Sequence, residues 1–493
     1  MKQISKSKFM RATRCIRSVY LDNHKPELAQ PIPESERNKL DIGTQVGLIG
    51  RKLFQGGIDV SDGGRIRGKE LVAATHAALD TDALVLYEPA FESSDGSLIC
   101  QIDILVRPLR GNKFIELKSS SEIKIPNHIY DAGFQWKVIS ENGFKKNSEM
   151  YIGHLNTEYV LKDRLDIDDL FRLEKVTARV KKVQPLIDRF LHQFDQALSK
   201  STIPDVELGV HCMKPFPCPY MKYCWRNVPD KSIFEIGGLR RNTMERFQET
   251  GVVTVDQIPP STRLSEKQKI EIESIITEKI SVNKKALKSF LLLVGKNQPL
   301  MYMDFESMMP AIPKFNGTSP YQQLCFQYCV LVQDGAKVRR REFLATSGSD
   351  PRYEFITNLL HDTKGSEPII VYNKSFEITR LKELANLFPN LEDEIADRIR
   401  RVIDLMEPFK MRHIYHPLFK GKHSLKVVSQ VLCPEIDYQK LAIQNGSMAM
   451  FQFEHLEELS IMEQTQVRSH LLEYCHLDVL SMVEIMKYLK QLI

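Results

Sequence analysis

Three charged side chains that could hold a divalent metal and hydrolyse a phosphodiester fall within residues 97–121. Asp103 lies in the first of two apolar runs, and Glu116 and Lys118 lie two apart in the second, with turn residues at 110–112 between the runs. This pattern predicts a β-hairpin in which Glu116 and Lys118 project from one face. Burying carboxylates in strands is costly unless a cation such as Mg²⁺ or Mn²⁺ binds them. The motif therefore predicts metal-assisted hydrolysis, in which the lysine orients water or offsets developing charge. A hairpin with solvated charges is the alternative.

The elements that flank this hairpin carry further candidates. A strand is predicted over residues 83–91, where Glu88 could be another metal ligand, although the nearby Glu92 competes for that role. Residues 126–144 read as an amphipathic helix. Its polar stripe consists of His128, Asp131 and Gln135. A polar stripe beside a metal site can steady a phosphate or the ligands, and it also suits an exposed helix face. Gln135 is the favoured member of the stripe.

Four cysteines form a second candidate constellation. Cys15 is the only cysteine before position 100 and lies on a helix predicted over residues 5–28. The other three follow a C-x5-C-x5-C spacing in a proline-rich segment: Cys212, Cys218 and Cys224. Because three thiolates are one short of a tetrahedral site, Cys15 is the candidate for the fourth ligand. Free thiols in a loop are the alternative, and ligand counting does not separate zinc from an iron–sulfur cluster.

A third set of acidic residues occupies the last two hundred positions. The predicted strand 299–309 carries two alternating acids, a buried strand and helix over 367–389 carry another, and the predicted helix 466–489 carries a tyrosine and an aspartate four apart. These residues are Asp304, Glu306, Glu377, Tyr474 and Asp478. Four acids from one strand and two helices are enough for two metals about 4 Å apart, an arrangement that clamps the attacking and leaving oxygens of a phosphodiester.

The whole chain has the composition of a globular protein with several domains. It has 493 residues, of which 42% are hydrophobic and 27% charged, and its length predicts two to four domains. No apolar run is long enough for a membrane span, and the N-terminus lacks the apolar stretch of a signal peptide, so we expect a cytoplasmic protein. A net charge of +5 permits nucleic-acid binding without arguing for it. Arginines at 339–341 and at 398, 400 and 401 could each meet a phosphate backbone, or form solvated faces.

The first half resembles a known nuclease branch. The order of an early cysteine, an upstream Glu, Asp in a strand, Glu-x-Lys, a Gln-bearing helix and three late cysteines is similar to the RecB-type nucleases of the PD-(D/E)XK superfamily that carry a 4Fe-4S cluster. The resemblance implies a restriction-endonuclease-like fold over residues 1–226. It also implies that Glu88, Asp103 and Glu116 hold the metal, that Lys118 assists and that the four cysteines bind the cluster. The chain departs from the pattern because 41–57, a predicted helix, lacks a histidine and Ile139 stands where an aromatic residue is expected.

The last part resembles the DnaQ-like exonucleases of the RNase H-like fold, in the subclass whose third motif is Tyr-x3-Asp. The resemblance covers residues 299–493 and implies 3′-to-5′ removal of nucleotides, with Tyr474 positioning the attacking water. Glu473 stands where the sister subclass has histidine, and Glu377 stands where most members have Asp. Asp404 and the Ser424-Leu425-Lys426 segment fit the family's middle region as structural or substrate-contacting residues.

Together these features predict an α/β (α+β) multidomain protein: a RecB-like nuclease domain with a four-cysteine cluster over 1–226, a helical connector resembling helix-hairpin-helix units over 227–298, and a DnaQ-like exonuclease domain over 299–493. The combination resembles a bacterial family of two-nuclease proteins. We expect DNA, as single strands or duplex ends, to be the substrate, Mg²⁺ or Mn²⁺ to serve both sites, and a 4Fe-4S cluster, or zinc, to bind the cysteines. We expect a role in DNA processing, repair or anti-phage defence, with a helicase or a defence-system protein as a candidate partner. The alternatives are an RNase and a nucleic-acid clamp in which one or both sites are inactive.

Overall fold

The chain folds into two compact units, each built from strands and helices, which agrees with the expected α/β class. The first unit comprises Met1–Asn227 with Pro310–Gln322, and the second comprises Val228–Met309 with Gln323–Ile493. The computed structural model describes residues 3–31, 34–109, 111–144, 147–295 and 298–493. None of the described helices combines the length and the apolar character that crossing a bilayer requires.

The first unit contains a six-stranded sheet and a three-stranded sheet. Its strands are β1 (Ile4–Ser5), β2 (Ile58–Asp59), β3 (Val85–Tyr87), β4 (Ala90–Glu92), β5 (Leu98–Gln101), β6 (Ile104–Val106), β7 (Asn112–Lys118), β8 (Ser148–Leu155) and β9 (Phe171–Lys175). Its helices are α1 (Lys6–Arg14), α2 (Ile16–His24), α3 (Glu34–Gly50), α4 (Gly68–Leu79), α5 (Asn127–Ile139), α6 (Ile167–Leu170), α7 (Thr177–Lys182), α8 (Gln184–Leu198) and α9 (Met221–Cys224). The strand orders are β2-β3-β6-β7-β8-β9 and β1-β5-β4.

The predicted hairpin is present at the centre of the larger sheet. β6 and β7 pair in antiparallel fashion with Ile104 opposite Ile115, and β7 continues in parallel with β8 through the crossover helix α5. Both faces of β7 are covered, because Phe114 packs into one apolar cluster and Ile115 into another. This two-sided burial makes any charge on β7 depend on local partners. Arg110, assigned to the hairpin turn, lies outside the described residues.

Several sequence assignments in this unit are wrong in detail. The predicted strand 83–91 breaks at Glu88, and Asp103 lies between β5 and β6 rather than within a strand, because the chain passes there from one sheet to the other. The sequence of residues 168–199 predicts one long helix, but this segment begins as α6 and β9, because β9 pairs with β8. The helix predicted over 5–28 is two helices that meet at Cys15.

The second unit is organised on a five-stranded sheet with strand order β13-β12-β11-β14-β15. Its strands are β10 (Ser281–Val282), β11 (Leu300–Met308), β12 (Leu324–Asp334), β13 (Lys337–Leu344), β14 (Ile369–Val371), β15 (Val402–Asp404) and β16 (Ile414–Tyr415). Its helices are α10 (Arg241–Glu249), α11 (Glu266–Thr277), α12 (Lys284–Val294), α13 (Arg352–Asp362), α14 (Lys374–Leu387), α15 (Glu392–Arg400), α16 (Glu407–Lys410), α17 (Leu425–Leu432), α18 (Gly446–Glu454) and α19 (Ile461–Gln491).

Sequence pattern explains the main elements of this sheet. β11 and β12 pair in antiparallel fashion over their whole lengths, and β11 pairs in parallel with β14. The apolar residues of both strands fill a core closed by α13 and α14. The helix α19 begins with a capping box in which Ser460 and Glu463 satisfy each other's backbone N–H groups. The strands and helices predicted over 299–309, 367–389 and 466–489 are all present.

The helical connector packs within the second unit through a buried ion pair. Arg412 Nε donates to Glu271 Oε1 at 2.6 Å, and Glu271 Oε2 accepts from the backbone N–H of Gly237 at 2.6 Å. Both charged side chains are buried, so each depends on the other for neutralisation. A short antiparallel pairing of β10 with β16 adds a second attachment.

Candidate functional site

The first candidate site forms where the chain crosses between the two sheets of the first unit. Glu88 and Asp103 occupy the two crossing points, where the Glu88 N–H donates to the Asp103 carbonyl at 2.9 Å. The backbone at Glu88 is left-handed, with φ of 56°, a conformation that carries strain in a non-glycine residue. The Asp103 carboxylate accepts from the Leu117 N–H, next to Glu116 on β7. The crossing therefore brings Asp103 beside Glu116, although not through the regular strand expected for it.

Two lysines and a glutamine surround the Glu116 carboxylate. Lys6 Nζ and Lys118 Nζ each donate to Glu116 Oε1 at 2.7 Å, and Gln135 Nε2 donates to Oε2 at 2.8 Å. Lys118 also pairs with Asp131, which accepts from Gln135 at 3.3 Å. The favoured Gln135 thus lies in the site. Asp131, another member of the predicted polar stripe, lies there too, whereas Lys6 is a partner that the sequence analysis did not assign to the site.

These contacts leave the carboxylates in different protonation environments. Burial raises the pKa of Asp103 to about 8, with repulsion from Glu116 adding to the effect. Burial also opposes ionisation of Asp131, but attraction to Lys118 and Lys6 outweighs it and lowers the pKa to about 2. For Lys118 burial favours the neutral amine, yet Asp131 and Glu116 raise its pKa overall. Lys118 therefore stays an ammonium at neutral pH.

Glu88 completes the acidic face of a cleft of about 380 Å³ that is also lined by Lys6 and Asp103. Its two carboxylate oxygens accept from Arg51 at 3.0 Å and from Gln101 at 2.9 Å. Burial raises the pKa of Glu88, with Arg51 opposing that shift. The oxygen donors suit a hard divalent ion, but their present cation partners would have to yield to it.

The competing acid Glu92 lies on β4 of the smaller sheet. Its Oε2 accepts from Gln3 at 3.3 Å. Of the helix stripe, His128 is half-buried and its Nδ1 accepts from the Lys124 N–H at 3.1 Å, facing its own helix start rather than the carboxylates.

The second candidate site brings together acids from opposite ends of the second unit. Asp304 and Glu306 share one face of β11, and Asp478 projects from α19. Each offers one carboxylate oxygen, and these three oxygens lie within 4.8 Å of one another. Among the described residues this is the only group of three or more acidic, histidine or cysteine ligands that meets this distance. Burial raises the pKa of all three acids, and mutual repulsion adds to the effect for Asp304 and Glu306.

Glu377 approaches the same site from α14. Its side chain is only 1% exposed, and its Oε2 has no hydrogen-bond partner among the described residues. Burial raises its pKa well above the usual range, and repulsion from Asp304 adds to this. A buried carboxylate oxygen without a donor is expensive. The orphaned oxygen and the three clustered carboxylates together form a donor set that fits divalent metal ions.

Tyr474 lies one helical turn before Asp478, as predicted, and is held by a lysine from α17. Lys426 Nζ donates to the Tyr474 hydroxyl at 3.1 Å and lies 4.7 Å from the centre of its ring. A second tyrosine, Tyr438, donates to Asp478 Oδ1 at 2.6 Å and contacts Ser481 Oγ at 2.9 Å. Burial raises the pKa of both tyrosines, so both hydroxyls stay protonated. Tyr438 was missed because its loop carries no periodic pattern.

Asp404 has a structural role, which was one of its two sequence interpretations. Its Oδ1 accepts from the N–H groups of Asn373 and Met406 at 2.9 and 3.0 Å. These bonds hold the turn before α14, the helix that carries Glu377.

The four cysteines line one small cavity, as the sequence analysis expects for ligands of a common centre. Cys15, Cys212, Cys218 and Cys224 surround it together with His211. Hydrogen bonds to Cys15 and Cys212 raise the pKa of His211 to about 9. Burial alone would raise the pKa of the Cys212 thiol, but the His211 contact and backbone bonds lower it to about 7. The lowered pKa favours the thiolate of Cys212, the form that binds metal, whereas burial raises the pKa of Cys218 and Cys224. The donor set therefore fits a thiolate-bound centre.

Comparisons with known proteins add similarity without a function. Residues 301–424 match a domain of unknown function, DUF2779. The chain is 27% identical over 239 residues to an uncharacterized protein of Ureaplasma parvum, across 43% of this chain and 34% of that protein. It is 26% identical over 215 residues to an uncharacterized protein of Mycoplasma genitalium, across 39% of this chain and 32% of that protein. The chain thus spans about a third of the length of these curated relatives.

Proposed function

We propose that this chain is a metal-dependent nuclease that hydrolyses phosphodiester bonds of DNA, with a RecB-like site in the first unit and a DnaQ-like 3′-to-5′ exonuclease site in the second. The observation that carries the proposal is the convergence of Asp304, Glu306 and Asp478 within 4.8 Å. Asp478 follows Asp304 and Glu306 by more than 170 positions, yet the three carboxylates meet in one place. A fold tolerates such repulsion where a cation relieves it.

The residues of the second site divide into metal ligands and a water-positioning pair. Asp304, Glu306, Glu377 and Asp478 are the ligands, and Mg²⁺ or Mn²⁺ bound there would polarise the phosphodiester and activate water. Tyr474 stays protonated and, fixed by Lys426, presents its hydroxyl to the attacking water. Lys426 also supplies a positive charge close to where negative charge develops on the phosphate. Burial lowers the pKa of Lys426, but the surrounding acids oppose that shift.

In the first site Lys118 is the residue that assists hydrolysis. It remains protonated between Glu116 and Asp131, so it acts by orienting water and offsetting charge rather than as a base. Gln135 fixes Glu116 from the side opposite the lysines. Glu88, Asp103 and Glu116 are the proposed ligands.

A 4Fe-4S cluster is the proposed occupant of the cysteine cavity. In a four-cysteine zinc site with Zn–S bonds of about 2.3 Å, tetrahedral geometry puts the sulfurs about 3.8 Å apart. Among the described residues no three cysteine sulfurs lie within 4.8 Å of one another. The wider spacing favours a larger centre than one zinc ion. Anaerobically purified protein should be brown, and colourless protein containing one zinc per chain would contradict this assignment.

The nuclease proposal is tested by a Mn²⁺-supplied assay on end-labelled single-stranded and duplex DNA and on RNA. Wild type is compared with Asp304→Asn, Lys118→Met and the double variant. Each single change should remove one product pattern, and the double variant should remove all cleavage. Glu484→Gln is the matched control for the second site, because Glu484 lies on α19 but pairs with Lys487 at 2.6 Å instead of joining the site.

Cleavage that survives in the double variant would identify a contaminant and overturn the proposal. Cleavage of RNA alone would replace DNA as the substrate. A non-cutting clamp is the second candidate for the first site only, because the carboxylates there are already paired with Lys6, Lys118 and Arg51. Binding without a Lys118-dependent product would favour the clamp.

A further inference from the structure

The segment that leads into the second site carries basic residues and no acidic ones. Residues 408–434 contain five lysines and arginines and three histidines, and no acidic residue. The cations are Lys410, Arg412, Lys420, Lys422 and Lys426. The segment ends at the turn before Tyr438, and Lys426 within it contacts Tyr474 of the second site. The charge therefore reaches the clustered carboxylates directly.

Buried contacts hold the backbone of this segment in place. Arg412 is the internal anchor: it bonds Glu271, and it donates to the carbonyls of Phe409 at 2.7 Å and Gly421 at 3.3 Å. The Tyr372 hydroxyl donates to the His423 carbonyl at 2.7 Å. These bonds fix the loop on both sides of its tip, so a ligand need not order it on binding.

Two of the remaining cations have no acidic partner among the described residues. Lys410 and Lys422 are exposed, and neither forms an ion pair with a described residue, whereas Lys420 pairs with Glu235 at 3.0 Å. Lys267 of α11 joins them, contacting Met411 Sδ at 3.5 Å. Arg412, Lys410 and Lys267 all act on the imidazole of His423, where their repulsion adds to burial in lowering its pKa. Two lysines and the paired Arg412 thus lie near one histidine, and neither lysine forms an ion pair with a described carboxylate.

We infer that Lys267, Lys410 and Lys422 form a binding surface for the phosphodiester backbone of the strand that enters the second site. The inference deepens the proposed function and rests on it for the direction of the strand. Uncompensated lysines on a fixed loop suit phosphate groups, which are recognised by charge and release counterions on binding. From Lys422 to Lys426 the chain spans at most roughly 14 Å, so the surface adjoins the reacting position. The first turn of α17, which has no acidic residue, adds the positive end of a helix dipole.

The test measures binding separately from cleavage. The full chain carrying Asp304→Asn and Glu116→Gln is titrated into end-labelled oligothymidylate and oligouridylate, with fluorescence anisotropy followed over a series of NaCl concentrations. The test variant adds alanine at Lys267, Lys410 and Lys422. The matched control instead adds alanine at Lys364, Lys382 and Lys490, three exposed lysines of the same unit. A third variant replaces the three test lysines with arginine.

The alanine variant should lower the slope of log affinity against log salt by about 2, and weaken binding by tens of fold near physiological salt. The control triple should stay within about threefold of the parent, and the arginine variant should bind like the parent. Equal losses in test and control triples, or no loss in either, would overturn the surface. Loss in the test triple together with absent hydrolysis by wild type would retain the surface and reject the nuclease. Comparing the two oligomers distinguishes DNA from RNA as the bound strand.

Discussion

Removing one partner of the buried pair between Glu271 and Arg412 should destabilise the second unit strongly. In Arg412→Met, Glu271 keeps only the N–H of Gly237 as a donor, and the carbonyls of Phe409 and Gly421 lose the guanidinium. Leaving a buried charge without its counterion costs about 3–5 kcal/mol. Glu271→Gln retains part of the bonding and should cost about 1–3 kcal/mol.

Urea unfolding of the full chain gives the measurement and its internal control. The two tryptophans, Trp136 and Trp225, both belong to the first unit, so tryptophan fluorescence follows that unit. Far-ultraviolet circular dichroism follows both units. Arg412→Met should shift the dichroism transition that has no fluorescence counterpart, and the fluorescence midpoint should not move.

A double-mutant cycle of Glu271→Leu and Arg412→Met then separates the ion pair from general packing. The double variant removes both charges together, so its loss of unfolding free energy should be about 2 kcal/mol smaller than the sum of the losses in the two single variants. A loss below about 1 kcal/mol for Arg412→Met, the size of an exposed salt bridge, would refute the reasoning. It would mean that the connector is attached only loosely to the unit in which it packs.

Three further predictions concern the sites and the first unit. Asp304→Asn should raise the thermal midpoint of the metal-free protein, measured by calorimetry, because it relieves carboxylate repulsion. The same change should reduce the increase in thermal midpoint that Mn²⁺ produces in wild type. Glu484→Gln should have neither effect. Gly57→Ala should cost about 1–3 kcal/mol, because its Cβ would lie 2.5 Å from the Tyr87 ring, whereas Gly43→Ala in α3 meets nothing within 4 Å and should be neutral or stabilising in the same urea experiment. Burial lowers the pKa of His128 to about 4 from 6.5. Wild type should therefore lose stability relative to His128→Asn as pH falls from 6.5 towards 4, whereas above pH 6.5 the difference in stability should not change. A constant difference between pH 6.5 and 4 would contradict the burial of His128.

Local pattern was enough wherever a functional residue sits in a regular element. The alternation that puts Asp304 and Glu306 on one face survives in β11, and the four-residue spacing of Tyr474 and Asp478 survives in α19. Both inferences need only the period of a strand or helix. Glu116, on β7, is found in the same way.

Pattern failed where tertiary structure decides the backbone. Glu88 and Asp103 lie at crossings between sheets, which apolar runs on either side do not reveal. Residues 171–175 form a strand because β8 offers an edge for pairing. Lys6 carries no local signal at all, since its contact with Glu116 joins residues 110 positions apart.

The two sites differ in the positive charge beside their carboxylates, and α1 supplies part of that charge in the first site. In the first site two ammonium groups contact Glu116, whereas in the second site Lys426 is the one lysine, among residues the structure describes, that acts on the clustered acids. Lys6, which carries one of the two ammonium groups, is the first residue of α1, and Cys15 directly follows the last residue of that helix. Arg14 ties the same end to the cysteine loop by donating to the His211 carbonyl at 2.5 Å. Nine residues of helix, about 14 Å, therefore join the cysteine cavity to the carboxylates. The same helix positions the Lys6 ammonium, whose charge a metal at Glu116 would have to displace.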